Sequence, residues 1–219
     1  MNNKDLINQY INTGMGIPRK QYDMLSTNNK KTYLRNIDIR VKEDAKYIRY
    51  YYGELTEDVQ LAAVTQNGYT IRYIIDNGIT PSEAVQVAAV TKDGLVIQII
   101  LEKGITPSER VQLVAVTKTA DAIEYIIKNG ITPSEAVQLV AVTRYGDTIR
   151  FINNPSERVQ IAAVTQFGRV IQTILEKGIT PSEAVQIAAV TQNGNAIYFM
   201  LDKGITPSEQ VKMIANQNK

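Results

Sequence analysis

The sequence predicts an all-α protein: a right-handed α-solenoid of two-helix repeats with a divergent helical cap at its N-terminus. Three observations lead to this prediction. A motif recurs about every 26 residues, a helix-start signal precedes most copies, and a glycine follows most copies. Self-similarity at a fixed period of this length is typical of stacked repeats, in which each unit buries its apolar faces only against its neighbours.

The clearest marker of the repeat is a valine that is followed by glutamine in all copies but the last. Successive valines lie 26, 26, 26, 22, 26 and 26 residues apart. They are Val59, Val85, Val111, Val137, Val159, Val185 and Val211. This spacing predicts a basic helical cap over residues 1–53 and a repeat array over residues 54–219. The array has six repeats, of which the fourth is shortened, and a terminal half repeat.

Most repeats open with Thr-Pro-Ser-Glu, which predicts the start of a first helix, helix A. In the second repeat, Thr80 is the expected N-cap, Pro81 the first helical residue and Glu83 the end of a capping box. Helix A is then expected from about Ser82 to Thr91, with alanines that allow close approach of neighbouring helices. The same N-cap is predicted at Thr106, Thr132, Thr180 and Thr206.

A second helix, helix B, is predicted after a turn that contains glycine. Its apolar anchors stand three residues apart, as at Ile97 and Ile100, which gives one apolar stripe. Gly104 follows as the expected left-handed cap of this helix.

The fourth repeat leaves little more than one turn for helix B, between Ile149 and Asn153. A kink in the stack should follow. It is either a built-in bend that shapes a concave site from Arg144 to Arg169 or a tolerated deletion. In the cap, residues 46–51 resemble a helix B.

The composition excludes most catalytic sites. Cysteine, histidine and tryptophan are absent, so thiol nucleophiles, imidazole bases and Cys or His metal sites are excluded. Among the carboxylates, Asp121 and Asp147 are expected to face solvent on adjacent repeats, too far apart to cooperate. We therefore predict that the protein is not an enzyme and binds no metal or cofactor. No segment is apolar enough to cross a bilayer, so we expect no membrane partner and a cytoplasmic protein.

Comparison of the repeats separates scaffold positions from variable ones. The glutamine of each Val-Gln pair and a threonine six residues after each valine recur in all six repeats, as structural positions should. The residues after that threonine vary, and stacking would align them along one edge. Tyr145 and Phe167 have the composition of interface anchors there. The predicted partner-binding residues are Lys92, Asp93, Lys118, Asp121, Arg144, Tyr145, Asp147, Phe167, Arg169, Asn193 and Asn195. Alternatively, the loops vary because nothing selects them.

The net charge of +2 is unevenly distributed. Residues 1–52 carry ten lysines and arginines against five acidic residues, and the rest of the chain carries fourteen against seventeen. We therefore expect a protein partner first. A homo-oligomer is left open as a further arrangement. The alternative is a nucleic acid bound by the loops and by Lys20, Lys30, Lys31, Arg35 and Arg40.

The strings PSEAVQLVAVTRYGDTI, PSEAVQVAAVTKDGLVI and PSEAVQIAAVTQNGNAI resemble a family of short helical repeats of unknown function in bacteriophages, giant viruses and bacteria. The resemblance implies a phage-encoded protein in the host cytoplasm that binds a host or virion protein, for example to inhibit host defence. ITPSEAVQIAAVTQNGNAI is more loosely similar to the DNA-reading repeats of transcription activator-like effectors. The period, the glycine arrangement and the lack of recurring phosphate contacts depart from that second family.

Overall fold

The computed structural model describes residues 5, 7, 16–53 and 55–218. All secondary structure in these ranges is helical, without strands. The chain forms two compact units, Met1–Pro107 and Ser108–Lys219, so the predicted boundary after residue 53 falls inside the first unit. Within each unit, the A helices of consecutive repeats pack against one another. These findings confirm the predicted all-α class and its stacked helical repeats, and the right-handed sense stays a prediction.

In the first unit, residues 5 and 7 are helical, and in the described range 16–53 two helices and a 3-10 helix precede two full repeats. The preceding elements are Arg19–Asp23, Thr27–Glu43 and the 3-10 helix Ala45–Tyr50. The A helices are Glu57–Gln66 and Glu83–Lys92, the 3-10 turns are Gly68–Thr70 and Gly94–Val96, and the B helices are Ile71–Asp76 and Ile97–Glu102.

The second unit continues the same pattern. Its A helices are Glu109–Lys118, Glu135–Arg144, Glu157–Gln166, Glu183–Gln192 and the terminal Glu209–Gln217. Its B helices are Ala122–Lys128, Ile171–Glu176 and Ala196–Asp202, and the 3-10 turn Gly168–Val170 precedes the second of these. In the fourth repeat the 3-10 helix Gly146–Phe151 stands where a B helix is expected.

The predicted start of helix A is wrong by two residues. The N-cap is Ser82 rather than Thr80, and the helix begins at Glu83 rather than Pro81. The Ser82 hydroxyl accepts the N–H of Val85 at 3.4 Å and donates to the carboxylate of Glu57 in the preceding repeat. Serine is selected over threonine because it satisfies a free N–H at the helix start and links two repeats at once. The serine N-caps of the later A helices are Ser108, Ser134, Ser156, Ser182 and Ser208.

The recurrent Gln and Thr have structural bonds. Gln86 Nε2 donates to the carbonyl of Pro81 at 3.0 Å, and the buried amide thereby fastens the loop to its own helix. Gln60, Gln138, Gln160 and Gln186 make the same bond five residues back. Thr91 Oγ1 donates to the carbonyl of Val87 at 2.7 Å. These bonds support the structural interpretation of both positions.

Two kinds of glycine shape each repeat. Gly168 is buried, and a Cβ there would lie 2.5 Å from the carbonyl oxygen of Ala189 in the next A helix. Glycine is therefore required for the close approach of neighbouring repeats. Gly178 has a φ of 74°, which confirms the predicted left-handed cap of helix B.

The apolar anchors of helix B lie where the pattern predicts. Ile97 and Ile100 are fully buried, as are Ile123 and Ile126. The shortened fourth repeat keeps one such anchor, Ile149, and ends in a 3-10 helix, as its length predicts. Its A helix still packs against the A helices of the third and fifth repeats, so the deletion removes helix B without interrupting the A layer of this unit.

The cap is joined to the first repeat through Gln66. Its Oε1 accepts the N–H of Ala45 at 3.0 Å, and its Nε2 donates to the carbonyl of Val41 at 2.9 Å. The cap also has an aromatic core, in which the rings of Tyr22 and Tyr33 have centroids 5.6 Å apart. Burial raises the pKa of both phenols.

Candidate functional site

The variable loop edge begins at the residue that follows each A helix, which has an extended backbone. Where this residue is Asn or Asp, its side chain caps the next turn. Asn67 Oδ1 accepts the N–H of Tyr69 at 3.0 Å, and Asn193 Oδ1 accepts the N–H of Asn195 at 3.0 Å. These bonds stabilise the turn between helices A and B.

The fourth and fifth repeats lack this side-chain cap. Tyr145 and Phe167 hold the position with the same extended backbone, at φ −149° and −156°, and neither side chain makes a capping bond. The two residues are instead 51% and 49% exposed. Each repeat thus lacks a capping bond worth roughly 1 kcal/mol and leaves about half of a large aromatic residue in solvent. Turn capping does not account for these two residues.

The two rings border one depression of about 390 Å³ in the second unit. Asp147 and Arg169 also line the depression, and Gln172 and Glu176 of the fifth B helix form part of its wall. In the fourth repeat, the 3-10 helix Gly146–Phe151 takes the place of the B helix that would precede Ile171–Glu176. A second opening of about 370 Å³ on the other side of the short turn is lined by Ile127, Ile131 and Ile152, among others.

Charge in the depression is only partly neutralised. Asp147 forms an ion pair with Arg150, whose guanidinium lies 4.5 Å from the centroid of the Phe151 ring. Gln172 Nε2 donates to Glu176 Oε1 at 2.8 Å. Arg169 is exposed and has no ion pair within the described ranges. A cation in the depression that Tyr145 and Phe167 line is therefore available to a ligand.

The structure brings four of the predicted partner-binding residues into this depression: Tyr145, Asp147, Phe167 and Arg169. Arg144 is exposed beside Tyr145 at the end of helix A, a position that Lys92 and Lys118 share in their own repeats. Asn195 is exposed in the sixth repeat.

Two predicted residues have intramolecular contacts instead. Asp93 caps its turn by accepting the N–H of Leu95 at 2.9 Å and accepts a hydrogen bond from the hydroxyl of Tyr69 at 2.7 Å, and Asn193 caps as described above. The expectation that Asp121 faces solvent is wrong for its Oδ1, which is fully covered and has no hydrogen-bond partner, whereas Asp147 is partly exposed and lines the depression.

The basic residues of the nucleic-acid alternative lie on two helices of the cap. Lys30 lies over the ring of Tyr22 at 5.4 Å, and Arg40 lies over Tyr47 at 5.2 Å. Lys31 and Arg35 share an exposed helix face four residues apart, and Lys20 is on the preceding short helix. Binding of a nucleic acid by these residues stays a prediction.

Sequence reasoning missed part of the wall, because Thr173 and Glu176 lie on helix B, far from the loop in sequence. The sequence did contain a signal for them. Thr173 is next to the variable Gln172, and Glu176 is four residues after Gln172, so Gln172 and Glu176 lie on the same face of the helix. In the described part of the chain, no three acidic side chains come together as a metal site. None of the described helices is both long and apolar enough to span a membrane.

Comparison with known proteins adds no assignment. No protein-family model matches the chain, and no curated protein matches it.

Proposed function

We propose that this chain is a non-enzymatic scaffold that binds another protein through the loop edge of its repeats, with the depression between Tyr145 and Phe167 as the central contact. The observation that carries the proposal is the exchange of a turn cap for an exposed ring in two consecutive repeats. Aromatic residues beside an arginine are typical of interface hot spots.

The depression suits one or two side chains of a protein partner rather than a small-molecule ligand. It is open, and its two rings stand at the rim, where they can cover an inserted apolar side chain. Arg169 supplies a guanidinium for a carboxylate or a backbone carbonyl of that partner. The resemblance to phage repeats favours a host or virion protein, for example a component of host defence, and places the encounter in the host cytoplasm.

The test uses variants in which stability and binding are expected to change in opposite directions. Tyr145→Asn and Phe167→Asn restore the residue type that caps the turn at Asn67 and Asn193. Each should raise the free energy of unfolding by about 0.5–1 kcal/mol, because a turn N–H regains a partner. The double variant should nevertheless fail to recover the partner from a native lysate. Tyr198→Asn, in the sixth repeat, removes an equally exposed ring outside the depression and should bind normally.

Recovery is compared with and without nuclease treatment. A partner protein that survives nuclease, binds the wild type and Tyr198→Asn, and is lost from the double variant is the expected result. Unchanged recovery by the double variant would remove the depression from the interface, and recovery that disappears with nuclease would favour the nucleic-acid alternative.

A further inference from the structure

The short 3-10 helix of the fourth repeat has a counterpart in the cap. Ala45–Tyr50 and Gly146–Phe151 are both six residues long and read Ala-Lys-Tyr-Ile-Arg-Tyr and Gly-Asp-Thr-Ile-Arg-Phe. Each follows an extended residue, Asp44 at φ −148° and Tyr145 at φ −149°. The cap therefore ends in the same shortened form as the fourth repeat.

The shared anchors confirm this correspondence. Ile48 and Ile149 are both fully buried at the fourth position of the 3-10 helix. The arginine that follows lies over the ring of the sixth residue in each case. Arg49 is 5.3 Å from the centroid of Tyr50, and Arg150 is 4.5 Å from that of Phe151.

The first unit has a depression at the matching place. Its volume is about 370 Å³, and its lining includes Asp44, Lys46, Arg49, Asn67 and Tyr73. Residue by residue, Asp44 corresponds to Tyr145, Lys46 to Asp147, Asn67 to Phe167 and Tyr73 to Thr173. Each depression is lined by residues of a short 3-10 helix and of the B helix in the next repeat.

The charge of this depression is different. In the second unit, Asp147 neutralises Arg150, but in the first unit Lys46 occupies the position of that aspartate. The carboxylate of Asp44 pairs with Lys46 at 2.5 Å. Arg49 uses its Nε to bind the carbonyl of Lys46 at 3.0 Å, and no described carboxylate pairs with it. Its terminal N–H groups therefore have no carboxylate at ion-pair distance in the described residues, and the Asp44 carboxylate interacts with Arg49 only from farther away.

The ring of Tyr73 is 39% exposed on the B-helix wall of this depression. An unpaired guanidinium beside an exposed phenol ring offers two parallel N–H donors and an apolar surface, which together suit the carboxylate and methylene groups of a glutamate or aspartate.

We propose that this depression is a second binding site, which takes an acidic side chain of an extended protein segment. A nucleic acid fits less well because it requires a row of cations along its phosphates. In the repeats of the first unit that row is not continued, since Asp93 accepts a hydrogen bond from Tyr69 and Lys103 is paired with Asp76 at 2.6 Å. On the cap side, Arg40 and Lys46 both lie 5.2 Å from the centroid of the Tyr47 ring, and the oligonucleotide in the test below addresses them.

The test is fluorescence anisotropy of the full chain with a labelled peptide of alternating Glu and Phe residues, beside the same peptide with Gln for Glu. The wild type should bind the Glu peptide at least about tenfold more tightly, which corresponds to ~1.4 kcal/mol, and higher salt should weaken that binding. Lys46→Gln with Arg49→Gln should abolish the difference. Lys203→Gln, which removes an exposed cation outside both depressions, should preserve it.

Tyr73→Glu supplies a second test that leaves both cations in place. The new carboxylate can pair with Arg49 inside the depression and should therefore weaken binding of the Glu peptide. The circular dichroism spectrum should stay unchanged. Equal binding of the two peptides, or full binding by the Lys46/Arg49 variant, would overturn the proposal. A labelled oligothymidylate that binds more tightly than the Glu peptide, and loses this binding in the same variant, would replace it with a nucleic-acid site. The same peptide can enter the depression between Tyr145 and Phe167, so the assay is repeated with the Tyr145→Asn/Phe167→Asn variant. A preference for the Glu peptide that persists in this variant belongs to the first unit and is independent of the proposed function.

Discussion

The Ser208 hydroxyl donates a hydrogen bond of 2.5 Å to the carboxylate of Glu183, one repeat earlier, while it accepts the N–H of Val211 at 3.3 Å. The same pairing joins Ser134 to Glu109 and Ser182 to Glu157. A helix cap and a contact between repeats thus depend on one hydroxyl. This explains why Pro-Ser-Glu recurs while the nearby loops vary.

Replacing Ser182 with alanine should therefore cost more than the loss of an ordinary cap. Ser26 is the control, because it caps the helix Thr27–Glu43 through the N–H of Asn29 without a carboxylate partner in the described residues. We expect about 1 kcal/mol for Ser26→Ala and about 2 kcal/mol for Ser182→Ala in urea unfolding. Equal losses would show that the bond to Glu157 contributes nothing. A double-mutant cycle with Glu157→Gln should give a coupling of about 1 kcal/mol.

The two glycine classes should respond differently to alanine. In Gly168→Ala the new methyl group meets the backbone of Ala189 at 2.5 Å, and backbone cannot move aside without separating the repeats. In Gly178→Ala the methyl group meets nothing within 4 Å, and only the left-handed φ is unfavourable. Thermal unfolding should show a loss of about 3 kcal/mol for the first variant and about 1 kcal/mol for the second. The reverse order would contradict the proposed packing role of the buried glycines.

Stability of the cap should fall in alkaline solution. Burial raises the pKa of Tyr33 and Tyr51 above that of a free phenol, and does so for Tyr22 and Tyr52 as well. The stabilisation is complete below the ordinary phenol pKa, about 10, and is lost as the pH rises toward the higher pKa of the folded state, because the unfolded chain releases these protons first.

Urea midpoints measured between about pH 8 and pH 11 should therefore decrease above pH 10, together with tyrosinate absorbance. Tyr33→Phe removes one titrating group and the 2.9 Å hydrogen bond to the carbonyl of Tyr50. It should lower stability by about 1 kcal/mol at neutral pH and make the alkaline decrease shallower. A decrease as steep as in the wild type would show that Tyr33 does not contribute to it.

The sequence is sufficient to predict the period, the isoleucine anchors and the left-handed glycines, because each is set by local chemistry. It does not identify Ser82 as the N-cap, since Thr80 and Ser82 can both cap a helix and both choices leave Glu83 in the first turn. The bond to Glu57 favours serine, and that bond exists only once repeats stack.

Only part of the candidate site can be predicted from the sequence. Tyr145 and Phe167 stand out because aromatic residues interrupt a polar loop position. The wall with Gln172 and Glu176 comes from the next helix. The lack of an ion pair at Arg49 is not predictable from the sequence either. Only the folded 3-10 helix shows that Lys46 occupies the position at which Asp147 pairs with Arg150 in the fourth repeat.

Restoring the missing helix B tests whether the short fourth repeat is functional or a tolerated deletion. Replacement of residues 151–154 by residues 173–180 of the fifth repeat lengthens the fourth repeat by four residues and returns it to the 26-residue period. The added helix should pack against Ala122–Lys128 and against Ile171–Glu176, as Ile171–Glu176 packs against Ala196–Asp202. Helical circular dichroism should increase, and stability should rise by about 1–2 kcal/mol as Ile127 becomes covered.

The same insertion should narrow the depression at Thr173, because the counterpart of Thr173 in the second repeat, Ile99, follows a full B helix and is buried. Tyr145 and Phe167 should keep their positions in the loops. Partner recovery should then be lost from a protein that is more stable than the wild type. A control variant replaces residues 151–154 by four alanines and so removes the same side chains without lengthening the repeat. This control should retain binding. If the lengthened protein folds with the extra helix and still recovers its partner, then the deletion is a tolerated change in length, and the two rings act without the depression.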